Sequence, residues 1–186
     1  MTIIPSHLEI AILGAGCFWC TEATLKELRG VASVLPGYCG GHVERPTYEQ
    51  VCGKQTGHVE VAQVAFDPQV LSYADLLRAY FASHDPTTPG RQGEDVGPQY
   101  ESTIFWQTDA QRETALAVIA ELDGAQIFDA PIVTQLRPAA PFWPAEDYHR
   151  DYFALNPNQG FCQAVIAPKV AKFRKQFRER LQAGVD

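Results

Sequence analysis

The chain predicts an α+β sandwich, a mixed sheet with helices packed on it. Short runs of apolar residues alternate with polar ones, as half-buried strands do. Longer runs repeat their apolar residues every three to four positions, as amphipathic helices do. The two patterns interleave along the chain rather than separating into halves, which places helices against the sheet. Taken in order, a strand is predicted at 9–13, a helix at 18–28 and strands at 32–38 and 59–66. A helix at 73–83, a strand at 102–106 and a helix at 109–122 follow. The last elements are a strand at 132–137 and helices at 145–154 and 170–181. Ser72 and Asp109 suit helix N-caps, and Gly30 and Gly124 suit stop signals. The order reads β-α-β, β-α-β, then α-β-α-α. Two long connections, 39–58 and 84–99, interrupt it, and connections of that length inside a domain are often functional.

At 186 residues, 46% hydrophobic and 20% charged, the chain suits one ordinary globular domain over 1–186. Its formal charge is 15 − 22 = −7, with no long acidic run. Only 169–180 is basic, which a solvated helix face explains, so nucleic acid is not an expected partner. No run of about 18 apolar residues exists, so no membrane span is expected. Residues 1–8 lack a basic region leading into an apolar core, so no signal peptide is expected and the default location is cytoplasmic. Five cysteines is an odd number in a chain large enough to fold without staples. They read as catalytic, resolving or buried thiols.

Residues 14–20, Gly-Ala-Gly-Cys-Phe-Trp-Cys, hold the clearest chemical signal. Cys17 falls between a predicted strand and a predicted helix, where free N–H groups and the helix dipole favour a thiolate. Phe18 and Trp19 could wall an apolar pocket beside its sulfur. Cys20 completes a C-x-x-C pair, the spacing of dithiol oxidoreductases. A dinucleotide loop is excluded, because its third glycine would fall at Trp19.

A second cluster, 48–60, brings Tyr48, Cys52, His58 and Glu60. Glu60 alternates with Val59 and Val61. It is either an exposed strand position or a buried acid with a raised pKa, the property of a general acid working near neutrality. Tyr48 could supply a phenolic donor. A third cluster, 91–100, carries Asp95 and Tyr100, either on a functional loop or as polar filler. Cys39, His42, Cys52 and His58 could hold zinc, but their spacing matches no common finger, and no metal is expected.

The motifs GCFW followed by Glu22, GYCGG (37–41), YEQVCGKQTGHVE (48–60), RQGEDVGPQY (91–100) and AEDYHRDY (145–152) occur in this order. Together they resemble the A class of peptide methionine sulfoxide reductases, over about residues 9–162. The resemblance implies a two-layer α/β sandwich with a ferredoxin-like core, acting without a cofactor. It implies reduction of the S epimer of methionine sulfoxide, free or in oxidised proteins, to methionine. On matching positions Cys17 is the nucleophile and Glu60 the acid. Tyr48, Asp95 and Tyr100 form the polar side of the pocket, and Phe18 and Trp19 hold the substrate methyl group. The sulfenic acid left on Cys17 would condense with a second thiol, and thioredoxin or a similar dithiol would reduce the disulfide.

This chain departs from the common pattern in having Cys20 where many members have glycine. Residues 157–186 form the family-variable tail, starting with Cys162 and running into a basic helix with no further cysteine. Cys162 and Cys20 are both resolving candidates; Cys39 and Cys52 read as structural, and so does His149. A thioredoxin-like C-x-x-C oxidoreductase is the alternative enzyme, and a metal- or partner-binding module the alternative outside catalysis. A monomer is the default.

Overall fold

The computed structural model describes residues 5–185. Residues 1–4 and 186, the ends of the expected domain and part of the segment inspected for a signal peptide, lie outside the described residues. The elements are β1 (Glu9–Ala15), α1 (Phe18–Leu25), β2 (Val31–Cys39), α2 (Tyr48–Cys52), β3 (Val59–Phe66) and α3 (Tyr73–Ala82). A two-stranded hairpin, β4 (Arg91–Gln92) and β5 (Asp95–Val96), precedes β6 (Ser102–Trp106) and α4 (Asp109–Gly124). The chain continues through β7 (Gln135–Pro138), β8 (Phe142–Pro144), α5 (Tyr152–Leu155) and α6 (Ala167–Gln176).

Six strands form one sheet in the order β7-β6-β1-β3-β2-β8. Its centre is β1-α1-β2-β3-α3-β6 with strands ordered β6-β1-β3-β2, all antiparallel, which is a ferredoxin-like core. The parallel pairing of β7 on β6 makes the sheet mixed, as expected. Pro138 and Pro144 both fall on the outermost strands, where a missing N–H disrupts no central ladder.

The period-2 geometry of β3 places the future site. Val59 and Val61 join Ile12, Cys39 and Phe105 in one apolar cluster. Ala62, Val64 and Phe66 turn the other way and join Leu13, Leu25, Leu76 and Ile104 beneath the helices. Glu60 shares their parity, so its carboxyl faces the helical layer at the end of the strand nearest α1. Seven of the eight residues of α1 are buried. Its threonines hydrogen-bond back to the helix's own carbonyls, Thr21 to Cys17 and Thr24 to Cys20, so they need no outside partner.

The irregular connections carry more structure than their composition suggests. Within 39–58, Thr47 and Gln50 form a capping box that starts α2 at Tyr48. Within 84–99, Arg91–Gln92 pairs with Asp95–Val96. The helix expected at 145–154 is two pieces, a 3₁₀ turn at Asp147–His149 and then α5. Asp151 breaks it, adopting φ 52 while its N–H donates to Glu22. Thr108, not Asp109, caps α4, because its hydroxyl accepts the Gln111 N–H. The last helix starts earlier than expected, as a π-turn at Cys162–Ile166 that runs into α6. Among the described residues no helix is long and apolar enough to cross a membrane.

Candidate active site

Strand β1 ends against α1 through Gly16, whose φ of +88 suits glycine alone. A Cβ there would lie 2.6 Å from the Gln92 side chain, so Gly16 lets the 84–99 connection close over the strand end. Gln92 is held in turn by two hydrogen bonds to the Asp85 backbone, at 3.0 and 2.8 Å. The next residue, Cys17, is the N-cap of α1, as the sequence places it.

Cys17 is 9% exposed and Glu60 1% exposed. The Phe18 N–H, one of the free donors at the start of α1, reaches Glu60 Oε2 at 3.1 Å. Burial nevertheless dominates, and it pushes the Glu60 pKa up to about 8. Glu60 therefore carries a proton near neutrality. Of the two readings of this residue, exposed strand position and buried acid, the structure selects the second.

The thiol beside it behaves differently from expectation. The Trp19 N–H does lower the Cys17 pKa, but other effects outweigh it. Its hydrogen bond to Cys20 and its burial raise it well above the ordinary thiol value, with Cys20 and Glu60 charges adding to the effect. Cys20 moves the other way, lowered first by the Cys17 hydrogen bond and then by Lys169, whose Nζ lies 3.9 Å from its sulfur. Of the two thiols, Cys20 is thus the one whose ionisation the surroundings favour.

Tyr48 and Tyr100 are half-buried and feel Glu60; burial and that neighbouring carboxyl hold both phenols well above their usual pKa, so both keep their protons. Asp95, half-buried on β5, is also raised by burial, with Lys169 opposing. Lys54 donates to the Val96 carbonyl at 2.8 Å, tying the end of the Tyr48 segment to the Asp95 strand. Two connections, joined by residues 42 positions apart in the chain, thus meet near Glu60.

The apolar side is an aromatic cluster. Phe18, 1% exposed, packs on Tyr38, Tyr48 and His149 at centroid distances of 5.7, 6.4 and 4.9 Å. Trp19 lies 6.5 Å from Phe18, stacks on Tyr152 at 3.7 Å and meets the Phe161 edge at 5.9 Å. Cys162 is fully buried and shares one apolar cluster with Cys17, Cys20, Ala23, Ile166 and Val170. Both resolving candidates therefore lie in the apolar cluster that holds Cys17.

Three residues, His149, Glu146 and Lys169, matter more than the sequence suggested. His149 is fully buried, and its Nδ1 accepts the Trp19 indole N–H at 3.0 Å. Its other nitrogen faces Glu146 at 3.4 Å. Glu146 in turn accepts the Tyr38 hydroxyl at 2.9 Å and the Tyr48 N–H at 2.8 Å. The Glu-x-x-His spacing at 146–149 was the available signal. The structure uses it to brace both pocket walls from behind. Lys169 had no local signal at all, since its neighbour is 149 residues away.

Two of the four candidate zinc ligands are engaged elsewhere. His58 accepts the Gly41 N–H at 3.1 Å with one ring nitrogen and faces the Val43 carbonyl at 2.7 Å with the other. Cys39 donates to the Ala140 carbonyl on the opposite sheet face. Among the described residues no group of three or more His, Cys, Asp or Glu could hold a metal ion.

Comparison with known proteins bears on the family and the fold. The family model described as peptide methionine sulfoxide reductase matches residues 9–181. A peptide methionine sulfoxide reductase MsrA of Thermus thermophilus is 58% identical over 174 residues, covering 94% of this chain and 98% of that one. The MsrA of Chromobacterium violaceum is 56% identical over 175 residues, covering 94% and 99%. The reduced form of Saccharomyces cerevisiae Mxr1 superposes with a TM-score of 0.78 at 30% identity, covering 87% of this chain and 92% of that one. Mxr1 has also been solved in complex with Trx2.

Proposed function

The chain belongs to the peptide methionine sulfoxide reductase family, and from that premise we propose how its own residues reduce the S epimer of methionine sulfoxide. The observation that carries the reading is a neutral buried carboxyl, Glu60, hydrogen-bonded at the helix start that Cys17 caps. A sulfoxide sulfur is electrophilic, but its oxygen leaves poorly unless protonated. Glu60 supplies that proton as Cys17 attacks the sulfur. The Tyr48 and Tyr100 hydroxyls, with Asp95 beside them, hydrogen-bond the oxygen as charge develops on it. Phe18 and Trp19 receive the substrate methyl group. Trp19 is held for this by His149 and Tyr152.

Collapse releases methionine and leaves the oxygen on Cys17 as a sulfenic acid, with Glu60 ionised. Cys20 or Cys162 then displaces that oxygen as water, forming a disulfide, and a thioredoxin-class dithiol reduces it. No cofactor enters this balance. The substrate is free methionine sulfoxide or an oxidised protein, and the enzyme works as a monomeric single catalytic domain in the cytoplasm, its tail at 157–186 presenting Cys162.

The S and R epimers of dabsylated methionine sulfoxide test the reading directly. The wild type is expected to turn over only the S epimer, and Cys17→Ser neither. Turnover of the R epimer alone, or undiminished turnover by Cys17→Ser, would overturn it.

A further inference from the structure

We propose that Lys169 is a positioning residue for the second thiol: it holds negative charge on Cys20 and makes Cys20 the first group to attack the oxidised Cys17. The inference rests on the reading above and extends it to the variable tail. The geometry comes from the join between the π-turn and α6. Cys162, Ile166, Val170 and Phe173 all point into the core, which fixes the rotation of this segment against α1. That rotation leaves Lys169 half-buried beside Cys20, its Nζ 3.9 Å from the sulfur, within contact range for an ammonium and a thiolate. Extra residues in a helical turn commonly mark functional sites, and here the turn begins with a third thiol.

The charged and titratable groups facing Cys20 come from every neighbouring element. Cys17 caps α1, Glu60 reaches over from β3 and Asp95 from β5, Cys162 opens the π-turn and Lys169 sits on α6. Lys169 is the cation among them. It also lines a cavity of about 450 Å³ with His84, Asp85, Gln92 and Lys172, so its outer side meets solvent while its tip meets sulfur.

When the pair holds a single proton, the hydrogen bond between the two thiols and the Lys169 ammonium favour that proton on Cys17 and the charge on Cys20. As Cys17 attacks the sulfoxide, its proton passes to Cys20, and the Glu60 proton passes to the sulfoxide oxygen. After methionine leaves, Cys20 loses that proton to the Glu60 carboxylate, attacks the Cys17 sulfur and expels hydroxide, which Glu60 protonates to water. The S–O bond breaks as the S–S bond forms. Cys17 returns from sulfenic acid to disulfide oxidation state as Cys20 is oxidised to match it. An ammonium at 3.9 Å favours the thiolate form of Cys20 on which this step depends.

Lys169→Gln removes the charge and Lys169→Arg retains it. NMR titration of carbon-labelled cysteine reads the Cys20 thiolate with no substrate present, so it does not depend on the proposed reaction. The Cys20 midpoint is expected to rise by about one pH unit in Lys169→Gln, a roughly tenfold loss of thiolate at fixed pH, and to return in Lys169→Arg. In a single turnover quenched for peptide mapping, Lys169→Gln should form the Cys17–Cys20 disulfide about tenfold more slowly and accumulate dimedone-trapped Cys17 sulfenic acid, while methionine formation is less affected. An unchanged Cys20 midpoint in Lys169→Gln, or a first disulfide between Cys17 and Cys162 in the wild type, would overturn the proposal. Absence of methionine formation in the wild type would instead overturn the reading it rests on.

Discussion

The carboxyl wall of the pocket and its thiol wall both lie buried and both are driven toward their neutral forms, Cys17 first by its hydrogen bond to Cys20 and then by burial, Glu60 by burial. For Glu60 that is the useful direction, because a general acid must arrive protonated, and its pKa of about 8 keeps it so at neutral pH. For Cys17 it is the wrong direction, because the nucleophile must arrive as a thiolate. One dry environment therefore equips the acid at once but leaves the nucleophile needing help. Cys20 adds to that difficulty through its hydrogen bond to Cys17, yet as a thiolate beside Lys169 it is also the group placed to accept the Cys17 proton during attack. A site that needs an acid and a thiolate side by side cannot obtain both from burial alone.

The severest way to break this contrast is to remove the nucleophile. Cys17→Ser is expected to lower turnover of the S epimer by at least about 10⁴-fold in a steady-state assay. Glu60→Gln keeps the shape and the Phe18 N–H contact but has no proton to give. It should slow single-turnover methionine formation by about 10² to 10³-fold. Tyr48→Phe and Tyr100→Phe each remove one donor to the developing charge, and each should cost about tenfold to a hundredfold in the same measurement. Trp19→Ala belongs to neither wall of the contrast. It should weaken substrate binding by a few kcal/mol, read as a raised KM, and should leave the pH dependence in place.

The smallest effect sharpens the contrast from the side of stability. Glu60 is raised from an ordinary value of 4.5 to about 8, so the folded state holds a proton that the unfolded state releases between those values. Its contribution is fully present below pH 4.5 and is lost as pH rises through 8. Glu60→Gln should therefore raise Tm relative to the wild type more at pH 9 than at pH 6, by a few degrees on the order of what a kcal/mol provides. Equal differences at the two pH values would mean that Glu60 is not buried as a neutral acid.

Much of the fold was readable because its central elements obey simple periods. The β-α-β-β-α-β centre follows from alternation in β1, β2, β3 and β6 and from helical spacing in α1 and α3. The later half was harder, since Asp151 breaks one helix through a backbone angle that no side-chain pattern announces. Five-residue α2 and two-residue β4 and β5 are too short to show a period. Within the site, the types and order of Cys17, Glu60, Tyr48 and Tyr100 were visible. Their relative charges were not, because the Cys17 pKa depends on a hydrogen bond to Cys20, and that of Cys20 on a lysine from the far end of the chain. His149 shows the same limit: its residue type suggested a structural role, and only the fold reveals that it braces Trp19 while Glu146 behind it holds the Tyr48 N–H.

The central claim is that Glu60 delivers the proton while Cys17 attacks. The most direct measurement is the pH dependence of single-turnover methionine formation from the S epimer, for wild type and Glu60→Gln together. The wild-type rate should fall as pH rises through about 8, where Glu60 loses its proton, and the variant should be uniformly slow without that fall. Superimposable profiles for the two enzymes would contradict the claim.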